Sequence, residues 1–124
     1  GQKAGIEALI GDQSCVEEMR KIFLNRRDLI VRLFDNIKEI DCLVPDGAFY
    51  VFPSFKKFLN KKVEGKILRD TFDISQYILE SVNVVTVPGD GFGAPGHIRF
   101  SYATNSKTIK KGLSRVKIAL ENIN

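Results

Sequence analysis

Three short apolar runs, each bounded by proline or glycine, limit what this chain can fold into. Ala48 to Phe52 follows the turn residues Pro45-Asp46-Gly47 and stops at Pro53, Val84 to Val87 stops at Pro88-Gly89, and Ile98 to Tyr102 follows Gly96. Runs this short, rich in aromatic and β-branched residues and closed by turn formers, read as strands. The first is apolar along its length and is expected to be buried on both faces.

Around these runs the apolar period becomes helical. Gln2 to Ile10 carries Ala4, Ile6, Ala8, Leu9 and Ile10 and stops at Gly11, as the last turns of a helix would. Ser14 and Glu17 have capping-box spacing, and Val16, Met19, Phe23, Ile30, Leu33 and Ile37 then fall near one face. This predicts a long amphipathic helix from Ser14 to about Ile40, with Met19 in the core. The basic stretch from Ser54 to Thr71 reads as a helical turn near Phe55 to Leu59 and then an irregular surface excursion. Asp73 and Gln76 repeat the capping pattern before Ile74, Tyr77, Ile78 and Val82, and Asn83 is suited to the left-handed conformation that ends a helix. Thr104 or Ser106 is expected to cap a last helix with Ile109, Leu113, Val116, Leu120 and Ile123 on its inner face.

The element order is helix, helix, strand, helix, strand, strand, helix. It predicts an α/β fold of the α+β two-layer sandwich type, with helices over one face of a small sheet. One surface is left to be covered by something else, which fits a domain that works against another part of its own polypeptide.

Bulk properties narrow the function classes. A chain of 124 residues, 44% hydrophobic and 27% charged, is the size and balance of one soluble globular domain. The formal charge of +4 comes mainly from lysines in Lys56 to Lys66 and Lys107 to Lys117. Neither run interleaves aromatics as a nucleic-acid platform would, so a solvated face is expected and nucleic acid is not. Cys15 and Cys42 lack Cys-x-x-Cys spacing and lie far from the single histidine, His97, so neither a disulfide framework nor a metal site is expected. No stretch approaches membrane-spanning length, and a cytoplasmic protein is the expectation.

Few residues offer chemistry. Gly89, Gly91, Gly93 and Gly96 make a glycine-rich loop that joins strand to strand and opens no helix, so it lacks the geometry of a dinucleotide or P-loop phosphate site. Arg99, in the middle of the third strand, has the planar fork that binds a carboxylate bidentately. An internal salt bridge, or a side chain reaching solvent, reads equally well at that position. His97 has no nucleophile or acid beside it by motif and reads as a partly exposed residue at the strand start. Asp46, Glu64 and Asp90 show no spacing that pairs carboxylates. The residues by themselves yield no catalytic set.

Taken together, Pro45-Asp46-Gly47-Ala48-Phe49-Tyr50-Val51-Phe52, Val84-Val85-Thr86-Val87-Pro88-Gly89-Asp90-Gly91-Phe92-Gly93 and Gly96-His97-Ile98-Arg99-Phe100-Ser101-Tyr102-Ala103 resemble the carboxyl-terminal part of class I aminotransferases, most of all the bacterial aspartate aminotransferase branch. The resemblance covers essentially the whole chain. It implies the small domain of a fold type I enzyme, a small mixed sheet covered by helices on one face. Residues 1–12 would be the tail of a helix linking it to an absent large domain, and 13–124 the small domain itself.

The resemblance further implies pyridoxal 5'-phosphate in the full-length parent, homodimeric assembly, and amino-acid and 2-oxo-acid substrates. Arg99 is similar to the arginine that grips the substrate α-carboxylate, and Phe92 and Gly93 match the loop at the substrate entrance. Gly47 and Ala48 match more peripheral positions, and Tyr50 does not match the family's cofactor-contacting tyrosine. No lysine here matches the Schiff-base motif, so no catalytic or cofactor-binding residue is expected in this chain and no activity from it alone. A small domain of another fold type I enzyme, or a stand-alone interaction or amino-acid-binding module, is the alternative.

Overall fold

The computed structural model describes residues 1–123. Helix α1 spans Gln2–Ile10 and α2 spans Ser14–Asp35. Strand β1, Tyr50–Val51, precedes a 3-10 turn at Lys56–Phe58 and the strands β2, Lys62–Val63, and β3, Lys66–Ile67. Helix α3, Thr71–Val82, leads to β4, Val87–Pro88, then a second 3-10 turn at Gly89–Phe92, β5, Ile98–Ser101, and α4, Ser106–Glu121.

The expected two-layer architecture is present. Strand β5 is central in a three-stranded sheet of order β1-β5-β4, with antiparallel pairing on both sides. Its neighbour β1 is prolonged by irregular pairing, Ser54 bridging to His97 and Ile98 N–H donating to Pro53 C=O at 3.1 Å. The core lies between this sheet and α2, α3 and α4. Phe34 from α2 meets Phe100 of β5 edge-on at 5.0 Å, and Phe55 stacks on the same Phe100 at 5.9 Å. Ile74 and Ile78 of α3 and Val116 of α4 are fully buried among them. No described helix is long and apolar enough to cross a membrane.

Several expectations are corrected. The stripe of α2 is buried only in its second half: Ile30, Val31 and Phe34 are covered, whereas Val16 and Met19 are each 55% exposed. Met19 is therefore not in the core. Helix α2 ends at Asp35, and Ile37 and Ile40 are buried from the turns that follow. Ser14 and Glu17 form no capping box, because the Ser14 hydroxyl donates to Asp12 and Glu17 pairs with Arg20. The β1 region is also not buried on both faces. Val51 is covered, but Tyr50 is exposed because helices cover only one side of the sheet, and Phe49, just before the strand, is exposed as well.

The other caps shift by a few residues. Asp70, not Asp73, caps α3 by accepting from Asp73 N–H at 2.9 Å, while the Asp73 carboxylate reaches back to Arg69 N–H at 2.8 Å. Asn105, not Thr104 or Ser106, caps α4 through Thr108 N–H at 2.9 Å. The excursion after Lys61 is an ordered hairpin of β2 and β3. Its turn residues Glu64 and Gly65 both have positive φ, +50° and +80°, the geometry of a tight hairpin turn. Asn83 ends α3 in the left-handed region as expected, φ 54° and ψ 46°.

Candidate functional site

The site follows from the pleat of β5. Ile98 and Phe100 point into the helical layer and are buried, so Arg99 and Ser101 must face the other side. Tyr50 opposes Ser101 in the register, which makes it a diagonal neighbour of Arg99 on the same face. Val87 of β4 lies directly opposite Arg99 on the other flank. The helix-free side of the sheet thus carries one arginine among exposed and half-buried rings.

The Arg99 guanidinium carbon lies 5.2 Å from the centre of the Tyr50 ring and 4.9 Å from that of Phe92. Both distances suit cation–π contact with the faces of the two rings. The ion pairs among the described residues are Glu17 with Arg20 and Lys21, Asp28 with Arg27, and Glu39 with Lys61. None involves Arg99. The internal salt bridge, one of the sequence alternatives for this residue, is absent among the described residues.

Phe92 arrives from the glycine-rich loop, which makes a 3-10 turn over Gly89–Phe92 and then turns away through Gly93 at φ +68°. Its ring is exposed and meets Phe52 edge-on at 6.5 Å. The structure therefore brings Arg99 and Phe92 into contact, with Gly93 next along the loop.

Three amides of this loop are already engaged. Gly89 N–H donates to His97 C=O at 2.7 Å, Gly93 N–H to Asp90 C=O at 3.2 Å, and Ala94 N–H to Gly89 C=O at 3.0 Å. A phosphate cradle needs such groups free and convergent, so these three amides brace the loop instead. Gly89 is its tightest point, since an added Cβ would collide with the His97 carbonyl oxygen and lie 2.5 Å from that of Ala94. Both obstacles are backbone and cannot rotate away. Gly89→Ala in the full-length protein is expected to cost about 1–3 kcal/mol in unfolding free energy, measured by denaturant titration; an unchanged midpoint would show that the loop relaxes freely.

A clamp invisible to motif reading holds the same loop to α3. The Asp90 carboxylate accepts from both the backbone N–H of Thr71, at 3.1 Å, and its hydroxyl. These hydrogen bonds, the hydroxyl first, lower the Asp90 pKa from the ordinary value. A lowered folded pKa gives stability that is present above the unfolded aspartate value of about 3.9 and is lost as pH falls through the folded value. In an NMR titration Asp90 should protonate below that ordinary value, and Thr71→Val should move it back upward. Titration at the ordinary value with Thr71 intact would remove the clamp.

His97 is half-buried, with Nδ1 3.2 Å from the Pro95 carbonyl oxygen and its ring beside Phe52 at 5.5 Å, a strand-start residue as expected. Burial, with a contribution from Asp35, pushes the Cys42 thiol up to about 11, so it is not a thiolate at neutral pH. No group of three metal-ligating side chains occurs among the described residues.

Pyridoxal phosphate, which the sequence resemblance implies for the parent, is carried as a Schiff base on a lysine. Every lysine is exposed except Lys61, which is half-buried and held by Glu39 at 3.0 Å. The described residues hold no buried lysine.

Comparison with known proteins gives one consistent picture. The family model described as aminotransferase class I and II matches residues 1–116. An aspartate aminotransferase of Streptomyces avermitilis is 42% identical over 112 residues, which are 90% of this chain and 28% of that protein. The crystal structure of the aspartate aminotransferase of Rhizobium meliloti superposes with a TM-score of 0.95 at 37% identity, over 99% of this chain and 31% of that one. The aspartate aminotransferase of Thermus thermophilus with maleate superposes with a TM-score of 0.73 at 30% identity, over 86% and 25%. The chain thus spans less than a third of the length of each of these relatives.

Proposed function

The chain belongs to the class I and II aminotransferases, and on that footing we propose that it is the small domain of such an enzyme and supplies Arg99 to bind the α-carboxylate of an amino-acid substrate. The observation that carries this reading is the state of Arg99: a half-buried guanidinium flanked by Tyr50 and Phe92, with no carboxylate in ion-pair reach among the described residues. Holding a charge this way, without a partner, has a desolvation cost that a bound carboxylate would offset.

In this reading residues 1–12 end a helix that links the small domain to a large one, and residues 13–124 form the small domain. Its support is the apolar surface left open. No residue of α1 is buried, Leu9 is 83% and Ile10 77% exposed, and the exposed Val16 and Met19 of α2 extend the surface. A stand-alone module would be expected to cover such a face.

The parent is proposed to be an aspartate-type aminotransferase working as a homodimer, which moves an amino group from an amino acid to a 2-oxo acid. Pyridoxal phosphate, held by residues outside this chain, would supply the electron sink for that exchange. This chain's part is binding and orientation. Arg99 fixes the α-carboxylate edge-on, Phe92 and Gly93 form the rim through which substrate passes, and closure of the domain removes competing water from the ion pair. The test is the response of kcat/KM for aspartate when Arg99 is replaced by lysine in the full-length enzyme.

A further inference from the structure

The sequence gives Tyr50 no role, yet the structure puts its ring against the one arginine of the site. Tyr50 is 37% exposed and projects from β1 on the helix-free side of the sheet. Its ring meets Phe49 edge-on at 5.9 Å and Arg99 at 5.2 Å, both contacts made by the ring and not the hydroxyl. Phe92 touches the same guanidinium at 4.9 Å from a different element. Tyr50 and Phe92 are thus joined through Arg99, one from β1 and one from the braced loop.

Two ring contacts on one guanidinium have a directional consequence. A guanidinium stacked on a ring keeps its N–H edge, along which a carboxylate binds bidentately, so a stacked contact and a carboxylate do not compete. Ring contacts also restrict the rotamers of a long side chain, which lowers the ordering cost when a ligand arrives.

We propose that Tyr50 is a positioning residue for carboxylate binding: together with Phe92 it brackets the Arg99 guanidinium and keeps its N–H edge aimed outward for the ligand. The inference rests on the reading of Arg99 as the carboxylate site. It assigns the effect to the ring of Tyr50, so phenylalanine should replace tyrosine and an aliphatic residue should not.

The experiment measures maleate, a dicarboxylate, by calorimetric titration of the full-length protein and its Tyr50→Phe, Tyr50→Leu, Phe92→Leu and Arg99→Lys variants, together with KM and kcat for aspartate. Tyr50→Phe is expected to bind within about twofold of wild type, and Tyr50→Leu and Phe92→Leu about three- to thirtyfold more weakly. KM should rise in step with the weaker maleate binding, a correlation that general loosening of the domain would not give. Should Tyr50→Leu fail to fold, the exposed Phe92 carries the same test.

If both leucine variants bind maleate like wild type while Arg99→Lys loses at least about tenfold, the bracket is wrong and the carboxylate site stands. Equal falls in kcat and kcat/KM for the leucine variants, without weaker maleate binding, also overturn it. If Arg99→Lys itself binds maleate like wild type, the carboxylate reading fails, and the bracket with it.

Discussion

Arg99→Lys in the full-length enzyme is expected to lower kcat/KM for aspartate by about ten- to a hundredfold, the range that corresponds to loss of a charged hydrogen bond. Lysine keeps the positive charge and most of the reach, so simple electrostatic attraction survives. What it loses is the fork that meets both carboxylate oxygens at once, together with the planar group that lies over the Tyr50 and Phe92 rings. An ammonium is also hydrated on all sides, so the two rings would no longer aim its donors. Orientation should suffer as well as affinity, because the α-carboxylate is one of the points that align the substrate. A loss below about threefold would reject the clamp, since a mere attraction of charge explains so small an effect.

Phe34→Ala is expected to destabilise the protein by about 3–5 kcal/mol, the usual cost of emptying an aromatic site in a core. Phe34 is fully buried and stands edge-on to Phe100, which is also stacked on Phe55. Neither neighbour can fill the space without breaking one of these contacts. Because Phe100 adjoins Arg99 in β5, the cavity lies directly beneath the strand that presents the guanidinium. Denaturant unfolding of the full-length protein measures the effect, and a change under about 1 kcal/mol would mean that the core collapses around the gap.

What was legible in the sequence was what local pattern specifies. The alternation Ile98-Arg99-Phe100-Ser101 determines which side chains face the helices, and β5 obeys it. The inner face of α4 and the left-handed stop at Asn83 were legible for the same reason, each depending on residues close in the chain. The caps were misplaced because Asp, Asn, Ser and Thr crowd each helix start, and several of them have the right spacing. Asp70 and Asn105 prevail over Asp73 and Ser106 by backbone position, which spacing does not encode.

Other features depend on distant partners. The Thr71 clamp on Asp90 joins residues 19 apart, and neither belongs to a motif that announces the other. Tyr50 and Arg99 meet only once the register of β1 on β5 is fixed. The stripe of α2 suggested burial along its length because apolar spacing cannot say which part of a helix has neighbours. Val16 and Met19 have none among the described residues that cover them, although they lie on the line that continues to Ile30 and Phe34. Exposure there agrees with the proposed second domain, whereas periodicity alone treats both halves of the helix alike.

The most direct test of the Arg99 assignment is a crystal structure of the full-length protein with maleate. The account predicts a carboxylate lying edge-on to Arg99, two oxygens about 2.7–2.9 Å from guanidinium nitrogens, with the Tyr50 and Phe92 rings still against its faces. Maleate bound elsewhere, with the Arg99 edge facing only water, would contradict it.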